Sequence, residues 1–403
     1  LKKIVIQEKN DLFIKEIKKG LAYEYILRQD ASNYPSIAGF AELDFDLKLA
    51  VDDDPVVQRN LGIKYKFGQG TTSQNYGKAI KWFQKAASQD DPKALYNLGA
   101  MYQAGQGVTK DLDKAIYWFQ KAAELGNSDA QFVLGMIYQT GENVVQNKAT
   151  AAKWLQKAAE QGDPEAQFFL GGMYRDGDGV EQCYQEALKW FQMAANQGDA
   201  RAQSDLGVMY QTGAETIQNY SKAVQWYQKA AEQGNADAQC NLGWMYQYGK
   251  GINQNNSKAI DWFEKAANQG QAGAQCSLGA LYLLSADVPK SSAKALEWFQ
   301  KSANQGNADA MHNLGVMYQT GQGVLQDYHK AIIWYKKAAE QGNANSQNNL
   351  GFMYQNGEGV TKNNSESIKW YKKAVCQGNT DAQENLDAML QKLKISSPPR
   401  PYL

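Results

Sequence analysis

An all-α solenoid of about nine 36-residue helix-turn-helix repeats with helical caps is expected from this sequence on three observations. Trp82, Trp118, Trp154, Trp190, Trp226, Trp262, Trp298, Trp334 and Trp370 stand 36 residues apart. The Leu-Gly pairs at Leu61, Leu98, Leu134, Leu170, Leu206, Leu242, Leu278, Leu314 and Leu350 keep the same step, apart from one interval of 37 whose extra residue lies in the loop before Asn75. Whole phrases also recur: LGVMYQTG is read at 206–213 and again at 314–321. A fixed period of this length marks units that cannot bury their apolar faces alone and must stack.

Each period opens with A-x-x-x-L-G-x-x-Y, as in Ala130, Leu134, Gly135 and Tyr138. Those offsets put one apolar stripe on a helix of 3.6 residues per turn. Asp54-Pro55, Asp91-Pro92 and Asp163-Pro164 precede it, each a cap followed by proline where the missing N–H is harmless. The G-x-G that follows, at Gly105/Gly107, Gly177/Gly179, Gly249/Gly251, Gly321/Gly323 and Gly357/Gly359, comes after a helix. A phosphate cradle needs a preceding strand, so this glycine pair is expected to be a turn. The second half reads K-A-x-x-W-F-x-K-A-A, as in Ala115, Trp118, Phe119, Ala122 and Ala123, a helix with a broad apolar face.

Seven residues before each ladder tryptophan stands Asn75, Asp111, Asn147, Asn219, Asn255, Ser291, Asp327 or Asn363, all good N-caps, and only Cys183 breaks the column. Gly126, Gly162, Gly198 and Gly234 are placed to end the second helix. Gly135 and its counterparts sit inside a helix at a cost of about 1 kcal/mol. Their expected use is close approach of the large Trp or Tyr of the packed helix, with the tryptophan ladder in the core.

The ends depart from the period. Residues 11–29 read as a helix, and DFDLKLAVDDDP at 44–55 aligns with KWFQKAASQDDP at 81–92, with Phe45 in the tryptophan slot. Residues 1–57 are therefore expected to form a helical cap with a degenerate half repeat, and 58–379 the array. A capping helix is expected over 380–394, with Asp387 where glycine would follow Leu386, and a disordered Pro-rich tail over 395–403. The stretch from Leu278 loses the G-x-G turn and carries Pro289 in its connection.

Lys+Arg and Asp+Glu both number 42, so no net basic field draws nucleic acid, which is not expected as a partner. No apolar run reaches the roughly 18 residues of a membrane span, and no direct membrane insertion is expected. Two histidines and Cys183, Cys240, Cys276 and Cys376 offer no metal-ligand frame, so neither metal nor cofactor is expected. Cys240 and Cys276 are equivalent in adjacent repeats, where a helix layer of about 9 Å exceeds the roughly 7 Å reach of a disulfide; free thiols are expected. Ser291 to Lys294 spells S-x-x-K, but no K-T-G accompanies it and Ser291 belongs to the cap column. No catalytic residue is assigned, and a monomer is expected. Because the chain opens at Leu1, its compartment is left open between cytoplasmic and exported.

Read from Ala310 to Gly342, A-x-x-x-L-G-x-x-Y-x-x-G-x-G-V followed by K-A-x-x-W-[YF]-x-K-A-A-x-x-G resembles the Sel-one-like repeat (SLR), a relative of the tetratricopeptide repeat. The resemblance covers roughly residues 58–390. It implies a right-handed superhelix acting as a protein-interaction scaffold or adaptor, in assemblies, in signalling or in bacterial contact with a host. The alternative it brings is a carbohydrate- or β-lactam-directed enzyme, as proposed for cysteine-rich members with paired cysteines in each repeat. The cysteines here do not pair within repeats, so that activity is not carried over.

The resemblance also implies that the first helix of each pair lines a concave groove, at slots two before, two after and five after the Leu of Leu-Gly. The first column gives Tyr96, Phe132, Phe168 and His312, the second Met136, Trp244 and Phe352, the third Arg175, Gln211 and Gln247. These are the candidate residues for a protein or peptide partner, with aromatics as anchors and glutamines as partners for an extended backbone. The same slots equally suit plain packing between repeats.

Overall fold

The computed structural model describes residues 53–70, 73–213, 218–284 and 290–396, which form nineteen α-helices and no strand. The cap expected over 1–57 lies outside them except for its last five residues, as do the tail from 397 onward and the connection containing Pro289. The chain divides into two compact units, 1–182 and 183–403.

In the first unit the helices are α1 (Pro55–Phe67), α2 (Tyr76–Ala87), α3 (Pro92–Ala104), α4 (Leu112–Glu124), α5 (Ser128–Thr140), α6 (Lys148–Glu160) and α7 (Pro164–Asp176). Each packs on the next, and α1 also touches α3. The second unit holds α8 (Tyr184–Asn196), α9 (Ala200–Thr212), α10 (Tyr220–Glu232), α11 (Ala236–Tyr248), α12 (Asn256–Asn268) and α13 (Ala272–Leu284). It continues with α14 (Ser292–Asn304), α15 (Ala308–Thr320), α16 (Tyr328–Glu340), α17 (Ala344–Asn356), α18 (Asn364–Val375) and α19 (Thr380–Ser396). Here the odd-numbered helices from α9 to α19 touch in succession and form one layer, while the even-numbered helices pack against them.

The ends of the helices obey the chemistry of their capping residues. Asn255 is extended (φ −158°) and its side chain accepts the Lys258 N–H at 2.9 Å, while Asp91 accepts that of Ala94 at 2.8 Å. Cys183 adopts the same extended backbone (φ −148°) with no side-chain cap bond. Pro55 opens α1, so the first repeat starts three residues before 58. The capping helix runs on to Ser396.

Both glycines of the G-x-G turn are left-handed, at φ 71° and 75° in Gly177 and Gly179. The second has a further reason. A Cβ on Gly359 would lie 2.6 Å from the Tyr328 carbonyl carbon, so the turn sits directly on the start of the previous second helix. In the first unit Lys148 adds an ion pair with Asp178 of that turn, at 2.5 Å.

Of the two residues expected to approach the helical glycine, tyrosine does so at Gly207, Gly315 and Gly351, but the expectation of tryptophan needs correction. A Cβ on Gly243 would lie 2.7 Å from the Phe263 ring, and one on Gly99 equally close to Phe119. The residue after each ladder tryptophan, not the tryptophan, fills the space, because one further step turns the side chain by about 100° toward the first helix. Phe119, Phe191, Tyr227, Phe263, Phe299, Tyr335 and Tyr371 are buried, as are the alanine pairs such as Ala266 and Ala267. Seven ladder tryptophans are half-buried at the rim, and only Trp190 and Trp370 are buried. Most carry the lysine of the following turn over the ring, as Lys265 does 3.9 Å from the Trp262 centroid.

A polar ladder runs through the stack. Gln239 Nε2 donates to the Ala231 carbonyl at 3.0 Å, while its Oε1 accepts from Gln269 Nε2 at 2.8 Å. The same relay joins Gln131 to Gln161, Gln203 to Gln233, Gln275 to Gln305 and Gln347 to Gln377. Each buried amide is thereby satisfied at both ends, which fixes the register of one repeat on the next.

Candidate partner-binding face

In each first helix the Leu-Gly pair and the residues one turn to either side face the second helices; the slot two after Leu lies about 200° around the helix from that leucine, while the slot five after, one turn beyond the glycine, stays on the glycine's side. In the first unit Tyr96 is half-buried with its ring 5.6 Å from Phe119. Phe132 and Phe168 both pack against Phe169, tilted at 5.9 Å and edge-on at 5.5 Å between centroids, so the aromatic slots of successive repeats share a cluster. Met136 is half-buried beside them in sequence, and Arg175 forms an ion pair with Asp176 at 2.8 Å. That guanidinium holds the Asp176 carboxyl below the usual carboxylate range.

In the second unit the column two after Leu turns outward at three of its five positions, Ala280 and Val316 being half-buried. Val208, Trp244 and Phe352 are each 40% exposed. Trp244 Nε1 donates to Ser277 Oγ of the next first helix at 2.8 Å, which fixes the indole while leaving much of the ring accessible. The column two before Leu is more enclosed than expected: Ser204 and Cys240 are buried and His312 is half-buried. His312 Nδ1 shares a hydrogen bond with Ser346 Oγ at 2.9 Å, and its ring lies 5.6 Å from Tyr335. Burial holds its imidazole below the ordinary histidine value.

Column five is divided. Gln211 Oε1 accepts from the Tyr227 hydroxyl at 2.6 Å, and Gln319 and Gln355 do the same for Tyr335 and Tyr371. At the position equivalent to Tyr227 the next repeat has Phe263, which offers Gln247 no hydroxyl. Leu283 is buried.

Tyr248, one turn beyond Trp244 and 65% exposed, was not among the expected residues. Two sequence signals point to this turn: Trp244 is the one tryptophan of ten outside the 36-residue ladder, and Tyr248 replaces the Thr of Thr140, Thr212 and Thr320.

Ser291 Oγ accepts the Lys294 N–H at 3.3 Å, so the S-x-x-K serine serves as a helix cap. All four cysteines are free thiols, and burial pushes Cys240 and Cys276 up to about 12, far from the thiolate a nucleophile requires. Among the described residues no group of three or more His, Cys, Asp or Glu is placed to hold a metal, and no helix is long and apolar enough to cross a membrane. A hollow of about 450 Å³ on α6 is lined by Thr150, Lys153, Trp154, Gln156, Lys157 and Glu160. It opens where Thr150 replaces the lysine found at that slot in most repeats.

The Sel1 repeat profile matches nine successive segments, 55–91, 92–127, 128–163, 164–199, 200–235, 236–271, 272–307, 308–343 and 344–379. The chain is 37% identical to c5321, a protective antigen present in uropathogenic Escherichia coli strains with an SLR fold, over 86% of this chain and 74% of that one, at a TM-score of 0.82. A Sel1 repeat protein from Oxalobacter formigenes is 34% identical over 77% of this chain and 90% of its own, at a TM-score of 0.61. No curated protein matches the chain.

Proposed function

Since the chain belongs to the Sel1 repeat family, whose members generally act as protein-protein interaction scaffolds, we propose that it is a non-enzymatic adaptor holding a segment of a partner protein on the first-helix face of its repeats. The observation that carries this reading is the apolar set Val208, Trp244 and Phe352, which stand at one and the same slot of their first helices and are each 40% exposed. Trp244 is the principal anchor, supported by Tyr248 and Gln247. Gln211, His312 and Phe352 continue the face in that unit, and Tyr96, Phe132, Met136, Phe168 and Arg175 form the corresponding face of the first. Likeness to a protective antigen of a uropathogen supports a host-directed partner.

The test is affinity capture with the intact chain beside two double variants, Trp244→Ala with Phe352→Ala and Phe132→Ala with Phe168→Ala, each checked for helicity by circular dichroism. Anchor residues of this kind are expected to cost about tenfold or more in affinity on truncation. Recovery of the same proteins by the intact chain and both folded variants would overturn the reading.

A further inference from the structure

Charge is segregated in the unit 183–403. The first helices α9, α11, α13, α15 and α17 carry one basic residue, Arg201, against Asp205, Asp237 and Asp309. Helix α19 adds Asp381, Glu384 and Asp387 in its first two turns, with Lys392 and Lys394 confined to its far end. The second helices α10, α12, α14, α16 and α18 carry twelve lysines against six acidic residues. A net charge of zero thus conceals an acidic layer beside a basic one.

Within this layer Asp237 and Asp309 are not neutralised by a neighbouring cation among the described residues. Arg201 is engaged by its own cap, Asp199, at 2.6 Å. Asp237 Oδ1 accepts an amide of Gln271 at 3.4 Å and Asp309 Oδ1 one of Asn343 at 2.9 Å. Both aspartates are exposed, and neither is paired with a cation among the described residues. On the same face stand Val208, Trp244 and Phe352, with Tyr248 at the helix end.

We propose that this face selects a peptide segment in which large apolar or aromatic side chains are flanked by lysine or arginine; this deepens the docking reading above and rests on it. Apolar side chains cover the outward column, while the basic flanks meet Asp237 and Asp309 and place a cation within reach of the Trp244 ring. The lysine-rich second helices repel the same segment, so charge also selects which layer it meets.

The test is selection of random twelve-residue peptides displayed on phage against the immobilised full chain, followed by fluorescence anisotropy of the recovered sequences. The expected peptides are rich in Lys and Arg around Trp, Phe or Leu. They bind Asp237→Asn with Asp309→Asn about five- to tenfold more weakly at low salt, and the gap closes as salt rises. In a charge-reversed variant, Asp237→Lys with Asp309→Lys, preference passes to the same peptides with glutamate flanks. Selected peptides that are neutral or acidic, yet are lost on Trp244→Ala, overturn the charge inference and leave the docking reading standing. Peptides indifferent to Trp244→Ala, Val208→Ala and Phe352→Ala alike overturn both.

Discussion

Gly243 shows how tightly single residues are specified. Its missing Cβ is the space that Phe263 occupies, 2.7 Å away, and the aromatic ring has nowhere to retreat within a closed pair of helices. Gly243→Ala is therefore expected to destabilise the protein by about 1–3 kcal/mol, read as a lower urea midpoint, whereas alanine at Gly172, inside α7 with open space around it, should raise the midpoint, adding up to about 1 kcal/mol of stability. His312 adds a pH dependence. Its folded value is depressed by burial against Tyr335 and Ser346, partly opposed by the nearby Asp309 carboxylate, so the unfolded chain binds the proton first. Stability from this residue is complete above the unfolded value of about 6.5 and is lost as pH falls from there toward the folded value. The urea midpoint is expected to drop between pH 7.5 and 5.5, and His312→Gln to flatten that part of the dependence.

At the scale of the helix, cap chemistry repeats so regularly that its one exception is informative. Asn147, Asn219, Asn255 and Asn363 each close the first turn of a second helix through a side-chain oxygen, while Cys183 holds the same backbone without doing so. Cys183→Asn is expected to stabilise by about 0.5–1 kcal/mol and Asn255→Ala to destabilise by about 1 kcal/mol, both visible in the thermal midpoint. These helices, their caps and their terminal glycines were legible in the sequence because each depends on residues within one or two turns. The identity of the residue facing the glycine was not. Trp262 and Phe263 are both large and adjacent, and only the packed geometry shows that Phe263 points inward while Trp262 lies at the rim under Lys265.

For the whole molecule, the repeat is the unit that can be added or removed. Excising residues 236–271 joins Asn235 to Ala272, which puts an asparagine cap in front of α13 in place of Gln271. The shortened chain is expected to keep the same helicity per residue, with a urea m-value reduced in proportion to the surface lost. Excising 236–253 removes a first helix without its partner and is expected to destroy cooperative unfolding. The period of 36, the all-α architecture, the caps and the family likeness could all be read from the order of residues, since a repeat states its own length and its apolar stripes require a neighbour. Which groove slots face outward could not. Ser204, Cys240 and Trp244 stand at comparable places on a bare helix, yet the first two are buried and the last is exposed, since the outcome depends on what the next first helix brings up against each. The glutamine relay from Gln131 to Gln161 and its counterparts, and the pairing of Asp237 and Asp309 with amides instead of cations, join residues about thirty or more positions apart. Such contacts are made through space between stacked repeats, so they exist only once the repeats have packed.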